Sequence, residues 1–584
     1  MSTDKRGMTR RGFLGAAGLG AAALAADVAE KAMRPNILII FVDDMGYSDP
    51  GCFGGEIPTP NLDHLAARGV RFTQFYNAAR CCPARAALLT GLYPHQAGIG
   101  MMVYRDCGEG YRGNLNDRCV TFGEVLGAAG YQTMLVGKWH CGHRPHSRPE
   151  VRGFQRFTGI YPHIDSYWKV LRGCDIYRDG RLFIPAGENP KNPYRPDEEF
   201  YTTDFFTDVA LDYLDEALGD RSRPFLLHLC YNVPHFPLEA PDDLIEHFRG
   251  RYAKGWDRLR EEKLERMKAM GIVGPEQKLP RVRGFARKRW DRLIFKRAAP
   301  TGYLPAWGDL DEGARAELDF RRAIYAAQIA RLDQNVGRIV ERLTERGALD
   351  NTLILFFSDN GCSGELGPFG MNWGRYTSKN YKTWRKKGGW SISQGQCWAS
   401  LSNTPLRKFK IFVHEGGIAS PCIVHWPGGI ARPGRLVTNQ AFHLIDIMPT
   451  LCEVAGAKYP TTFKGRDIIP AQGISMVPWF RNPDAPARPR TLYWQHETNA
   501  AIREGDWKLV TTLDRDQRAW ELYNVAEDRS ESDDLASRKP ELVERLKKKW
   551  LRWAEDARVV PFPEQRGRPK PIPLPAPPKP RKKD

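Results

Sequence analysis

Along this chain, uninterrupted apolar runs end abruptly in charged or polar side chains. Ile37-Leu38-Ile39-Ile40-Phe41-Val42 runs into Asp43-Asp44, and Thr133-Met134-Leu135-Val136 runs into Gly137-Lys138-Trp139-His140. Phe225-Leu226-Leu227-His228-Leu229-Cys230 is followed closely by Pro234-His235, and Leu353-Ile354-Leu355-Phe356-Phe357 by Ser358-Asp359-Asn360-Gly361. Runs of this length predict strands buried on both faces, as in a parallel sheet. Open parallel sheets bind ligands at the carboxyl ends of their strands, so four such ends point to one shared site. Before the last run, Tyr325, Ile329, Leu332, Val336, Ile339 and Leu343 recur at alternating steps of four and three. That spacing predicts a helix with one apolar face, stopped near Gly347. Helix, short loop and apolar strand is the grammar of an α/β fold.

The flanking pattern fills in the rest. Thr59-Pro60 reads as a helix start, Val70–Tyr76 as one strand, and Pro421–Trp426 as another. A helix is expected from Phe442, closing a large domain over residues 34–450. Thr491–Trp494, Trp507–Val510 and Trp520–Tyr523 alternate as in a small antiparallel sheet, and an amphipathic helix is expected at about 540–556. Together these define a smaller domain over 451–560. The Lys/Arg-rich stretches at about 250–300 and 375–395 read as insertions with solvated charged surfaces.

Charge and composition add a partner class and an address. The 584 residues carry a net charge of +18, which predicts attraction to polyanions. No nucleic-acid-binding signature accompanies it. Thr9-Arg10-Arg11-Gly12-Phe13-Leu14 and the Ala/Gly/Leu run ending Ala23-Leu24-Ala25 read as a twin-arginine export signal over residues 1–26. This implies the export machinery as a partner and a periplasmic or extracellular location. No other stretch is long and apolar enough to span a membrane. Twelve cysteines would suit disulfides in an exported protein, and no Cys-x-x-Cys pair suggests zinc. From about Pro561 to Asp584 a Pro/Lys/Arg-rich tail is expected to be extended.

The chemistry centres on Ala79-Arg80-Cys81-Cys82-Pro83-Ala84-Arg85-Ala86-Ala87-Leu88-Leu89-Thr90-Gly91. Pro83 suits the first turn of a helix and the Ala/Leu run continues it. Cys81 then lies at a helix N-terminus, where free N–H groups and the helix dipole lower a thiol pKa. A buried, inert cysteine is the alternative reading of that residue alone.

Cys-x-Pro-x-Arg followed by Leu-Thr-Gly resembles the signature of the type I sulfatases. Asp43-Asp44, Gly137-Lys138-Trp139-His140, Ser358-Asp359-Asn360-Gly361, Lys410 five residues before Glu415-Gly416-Gly417, and Trp520-Glu521-Leu522-Tyr523 follow in the arylsulfatase order. The resemblance implies an alkaline-phosphatase-like α/β/α sandwich with a mostly parallel sheet and a small C-terminal sheet and helix. It implies formylglycine (3-oxoalanine) at Cys81, made by a formylglycine-generating or sulfatase-maturating enzyme and held by Arg85. Asp43, Asp44, Asp359 and Asn360 match the metal ligands, with residue 81 completing the shell. Four oxygen donors suit one Ca²⁺, with Mg²⁺ also compatible, and argue against zinc.

Lys138 and Lys410 match the sulfate-binding lysines, and His235 with Lys410 the groups that protonate the leaving oxygen. His140 matches the base that expels sulfate and regenerates the aldehyde. His95 and His414 lie near the motifs as candidate pocket residues. Cys82 and Ala84 depart from the commonest form of the motif, Cys82 adding a vicinal thiol that could pair or compete for oxidation. The substrate class implied is an aryl sulfate or sulfated polysaccharide. A phosphonate or phosphodiester hydrolase and a non-catalytic polyanion-binding protein are the alternatives.

Overall fold

The computed structural model describes residues 34–560 apart from 104–105, 188–189, 285–301, 366, 372–376, 385–391 and 512–518. The export signal, the C-terminal tail and the basic peaks Arg287–Arg289, Lys296–Arg297 and Arg385–Lys387 lie outside the described residues. Ten strands form the main sheet: β1 (Asn36–Asp43), β2 (Val70–Phe72), β3 (Gln132–Lys138), β4 (Arg156–Ile160), β5 (Ile176–Arg178), β6 (Arg181–Ile184), β7 (Phe225–Pro234), β8 (Thr352–Ser358), β9 (Cys422–His425) and β10 (Arg435–Val437). Their order across the sheet is β10-β2-β9-β8-β1-β7-β3-β4-β5-β6. The five strands from β8 to β4 run parallel. They include all four apolar runs, so the four polar ends emerge along one edge.

Seven helices matter here: α1 (Pro60–Ala67), α2 (Cys81–Thr90), α3 (Thr202–Gly219), α4 (Gly255–Ala269), α5 (Glu312–Glu345), α6 (Ile447–Ala455) and α7 (Pro540–Asp556). Both faces of the sheet are covered. Thr158 of β4 is level with Val136 and Leu229, and its hydroxyl meets the Tyr213 hydroxyl of α3 at 2.7 Å. His228, on the opposite face by alternation, instead packs edge-on against Phe122 of the helix Phe122–Ala128. α5 extends well beyond its expected apolar stripe, to 34 residues, because Asp311 caps it by accepting from Ala314 N.

Four expectations change. Val70–Tyr76 splits in two: Val70–Phe72 joins the main sheet, while Phe75–Tyr76 pairs with Ala419–Ser420 and Phe442–His443. The switch lies at Thr73, whose N–H is taken by Val437 O. The helix after Phe442 begins only at Ile447, because Phe442–His443 is that strand and Asp446 accepts from His443 N and Ile474 N. The first half of the basic 250–300 stretch is α4, packed through Trp256, Leu259, Leu264 and Met267. Lys263, read as solvated surface, is fully buried and pairs with Glu56 at 2.8 Å. Finally, all twelve cysteines are free thiols, ten of them buried. They fill the interior as small apolar groups rather than forming cross-links.

A second sheet contains β11 (Thr491–His496), β12 (Asn499–Glu504), β13 (Trp507–Thr511) and β14 (Trp520–Asn524), paired antiparallel in chain order. Its β12 was not anticipated, since Asn499-Ala500-Ala501 lacks strand-forming residues. Leu546, Trp550 and Ala554 of α7 pack under Ile502, Leu509 and Leu522. This sheet is fastened to the segments that carry the chemistry. Trp494 donates to Asn77 O, four residues before Cys81, at 2.8 Å. Glu415, five residues after Lys410, pairs with Lys508 at 2.9 Å and Arg529 at 3.1 Å.

Candidate active site

Cys81 opens α2, and its neighbours are drawn from four strand ends. The Cys81, Cys82 and His140 donor atoms lie within 4.8 Å of one another, as do those of Asp43, Asp44 and His235. Arg85, one turn along α2, fans across the floor. It donates to Lys138 O at 2.9 Å, Asp359 Oδ2 at 3.3 Å and Asp43 Oδ2 at 3.5 Å. Lys138 Nζ bonds to Asp43 Oδ2. Lys410 Nζ lies 2.7 Å from Asp44 Oδ1. Asp44 N donates to Asp359 Oδ1 at 3.2 Å, and Asn360 Nδ2 to Asp44 Oδ1 at 2.6 Å. His235 Nε2 stands 3.6 Å from Asp44 Oδ2, with Nδ1 turned to Phe236 O. The structure therefore brings together all ten residues singled out by motif.

Backbone strain concentrates here. Ala79, Asp44, His140, Lys408 and Ile411 adopt left-handed conformations, which non-glycine residues rarely occupy. Each is a site residue or lies within two positions of one. Holding such residues costs free energy that tertiary packing must offset, a pattern found where side chains have to be aimed.

All ten of the converging side chains are buried, so their charges act at low dielectric. Three carboxylates face three permanent cations, Arg85, Lys138 and Lys410. Burial raises the Asp43 carboxyl, but Lys138, His235 and Arg85 outweigh it and hold the group well below the ordinary range. Burial and the Asp43 charge push Asp359 the other way. A hydrogen bond from Cys82 is the largest influence on the Cys81 thiol; with Lys138 and His140 it overcomes burial and favours the thiolate. Cys82 itself is pushed up by burial and by Cys81. Burial lowers His140 to about 3, leaving it neutral near pH 7.

The donor set fits a hard divalent cation. Asp43 Oδ1 and Asn360 Oδ1 are buried without a hydrogen-bond partner among the described residues, and such oxygens are costly unless something binds them. A divalent cation would turn a balanced cluster into one with two net positive charges, suited to an anionic ester.

Two neighbours were not anticipated. Glu365 pairs with Arg80 at 2.8 Å and approaches Lys410 at 3.7 Å. Tyr325, assigned only to an apolar stripe, sends its hydroxyl to Asp49 at 2.7 Å and lies 3.4 Å from Asp44 O. No linear signal marks either one, because their partners are 281 and 285 residues away. His95 and His414 do not join the pocket. His95 bonds to Gln495 at 2.6 Å and His414 to Glu521 at 3.0 Å. Both face the second sheet, which the motifs could not place.

A sequence model of the Sulfatase family matches residues 35–457, and one for the N-sulphoglucosamine sulphohydrolase C-terminal region matches 408–556. The chain belongs to the sulfatase family. It is 32% identical to a sulfatase of Schizosaccharomyces pombe over 565 residues, covering 91% of this chain and 96% of that one. It is 31% identical to the arylsulfatase of Klebsiella aerogenes, covering 76% and 91%. Its fold matches the crystal structure of Ps i-CgsB in complex with k-i-k-neocarrahexaose at a TM-score of 0.61, with 24% identity and coverage of 90% and 93%. This sulfatase is thus a sulfuric ester hydrolase of alkaline-phosphatase-like fold.

Other buried histidines make stability pH-dependent. Burial holds His95, His228 and His443 at about 3 and His425 at about 4, against about 6.5 when unfolded. The unfolded chain binds more protons below that value, so stability is full above pH 6.5 and falls as pH drops toward 4. Each histidine contributes a slope of roughly 1 kcal/mol per pH unit. Urea unfolding at pH 7.5 and 5.5 should show a loss of several kcal/mol; equal midpoints would contradict the buried, neutral assignment.

Proposed function

We propose that this sulfatase hydrolyses sulfate esters of a sulfated glycan at a formylglycine formed from Cys81, beside one Ca²⁺ held by Asp43, Asp44, Asp359 and Asn360. The observation carrying this reading is the convergence of three carboxylates and three cations around the first residue of α2. When present, the cation and the hydrated aldehyde supply a nucleophilic oxygen and positive charge at the sulfuryl group.

The chain's own residues orient and move protons. Arg85 holds the position beside residue 81 and fixes Asp43 and Asp359 through one guanidinium. Lys138 and Lys410 donate to the sulfuryl oxygens as charge develops there. Asp44 and Glu365 hold Lys410 protonated despite its burial. His235 Nε2, 3.6 Å from Asp44 Oδ2, is placed to hand a proton to the leaving oxygen, while burial, with Lys410, lowers its pKa. Neutral His140, hydrogen-bonded to residue 81, takes a proton there to release sulfate. The buried, polar end of the sheet is thereby divided into an acid side after β7 and a base side after β3.

Support for a glycan comes from the charge of +18 and from the neocarrahexaose complex of a fold relative. Export by the twin-arginine route, proposed on Arg10-Arg11, would place the enzyme where such polymers occur. The test is the Ca²⁺-loaded protein, co-expressed with a formylglycine-generating enzyme, on 4-nitrophenyl sulfate and 4-nitrophenyl phenylphosphonate. The expected kcat/KM favours the sulfate at least tenfold; preference for the phosphonate would overturn the reading.

A further inference from the structure

Beside the catalytic centre, and containing none of its residues, lies a cavity of about 550 Å³. Pockets of that size hold small ligands or part of a larger one. Two loops lead to it from the centre. The segment after α2 touches the centre at Met102, whose Sδ is 3.6 Å from Cys82 Sγ, and reaches the cavity at Arg112 and Asn114. The segment after β3 starts at His140 and reaches the cavity at Arg144 and His146. Arg144 N donates to Asn114 Oδ1 at 3.1 Å, tying the loops together. His140 and Arg144 are four positions apart, so their Cα atoms lie within about 14 Å. A short oligosaccharide spans that distance.

The cavity wall is strongly basic: Arg112, Arg144, His146, Arg152, Lys464 and Arg466 line it. Its acids are already engaged, two of them by Arg152, Lys464 and Arg466 of the same wall. Glu124 pairs with Arg152 at 3.3 Å and Lys464 at 3.8 Å, Asp117 with Arg466 at 3.4 Å, and Asp106 caps Gly108 N at 3.1 Å. Arg112 and Arg144 have no ion-pair partner among the described residues. Half-buried Phe463, in the hairpin Thr462–Phe463/Arg466–Asp467, adds an aromatic surface. Lys464 and Gly465 turn that hairpin in left-handed conformations, as a two-residue turn requires.

We propose that this cavity is a remote anion subsite for the same sulfated oligosaccharide chain whose ester is cleaved at residue 81; this rests on the hydrolase reading above. Arg112 and Arg144 receive a second sulfate group, and Phe463 takes the apolar face of a sugar ring. The site selects for chain length and sulfation away from the scissile ester. It adds affinity for polymer that an aryl sulfate cannot use.

The probes are a heparin-derived hexasaccharide, its desulfated counterpart and 4-nitrophenyl sulfate. Binding is measured by calorimetry on the full Ca²⁺-loaded chain carrying Cys81→Ala, with and without Arg112→Glu/Arg144→Glu. The double substitution should raise the hexasaccharide Kd at least tenfold and flatten its salt dependence, and the desulfated probe should bind at least tenfold more weakly than the sulfated one. In the converted enzyme, the hexasaccharide-to-aryl-sulfate ratio of kcat/KM should fall at least tenfold. Phe463→Ala, on an exposed hairpin, provides the same test where the double variant folds poorly. Unchanged hexasaccharide binding in both variants, or equal binding of the desulfated probe, overturns the subsite. Absence of aryl sulfate hydrolysis by the converted parent chain instead overturns the hydrolase reading, and the binding arms still decide the subsite.

Discussion

Arg85→Leu should destabilise the metal-free protein by roughly 3–5 kcal/mol, the usual result of removing one partner from a buried ion cluster. Arg85 is 1% exposed and its guanidinium bridges Asp43, Asp359 and the Lys138 carbonyl. Leucine replaces the volume but leaves two carboxylates and a carbonyl without that donor. Turnover should fall by about 10²–10³, the typical loss when one aimed donor is removed from an active site. Arg85→Lys should recover part of the stability and little of the rate, since a point charge cannot serve three acceptors as a fork does. Urea unfolding in the presence of a chelator, with steady-state kinetics on 4-nitrophenyl sulfate, measures both. A stability loss below about 1 kcal/mol would mean the cluster is not held by Arg85.

Asp359→Asn separates the same cluster's two duties. Asparagine preserves the shape and removes one negative charge from a set in which Asp43 and Asp359 already oppose each other. The metal-free variant should therefore be as stable as the parent or slightly more so. The parent should gain about 2.7 kcal/mol at a Ca²⁺ concentration one hundred times its Kd, and the variant much less. Activity should drop by about 10³ or more, as expected when several kcal/mol of positive charge at the reacting group are lost. Thermal shifts with and without Ca²⁺ check the first part. Equal Ca²⁺ stabilisation of both proteins would remove Asp359 from the ligand set.

How much of this was legible in the linear chain depends on the range of each interaction. The parallel strands were, because burial on both faces leaves no polar positions within the runs Ile37–Val42 and Leu353–Phe357. Their polar ends were legible for the same reason: a carboxylate such as Asp43 stands out after six apolar residues. Cys81 and Arg85 share one helix turn, and motif spacing encodes that contact directly. Glu365 and Tyr325 reach the site only through the tertiary fold, so nothing local marks them. His95 and His414 misled because nearness in sequence to a motif does not set direction; both turn to the second sheet. Lys263 was read as surface because Lys usually is, yet Glu56 and the Leu401 carbonyl satisfy it in the interior.

The fastening of the second sheet to Asn77 and Glu415 gives that smaller unit a role in the chemistry. It braces the segments leading into Cys81 and out of Lys410, both of which carry left-handed residues. The neighbouring basic cavity extends the same logic outward, from the ester that is cleaved to the chain that bears it.

The central claim is that residue 81 acts as an aldehyde and not as a thiol. It is tested most directly by measuring 4-nitrophenyl sulfate turnover on Ca²⁺-loaded preparations whose aldehyde content at residue 81, read by peptide mass, spans none to full. The account predicts a straight line through the origin. Turnover independent of aldehyde content would contradict it.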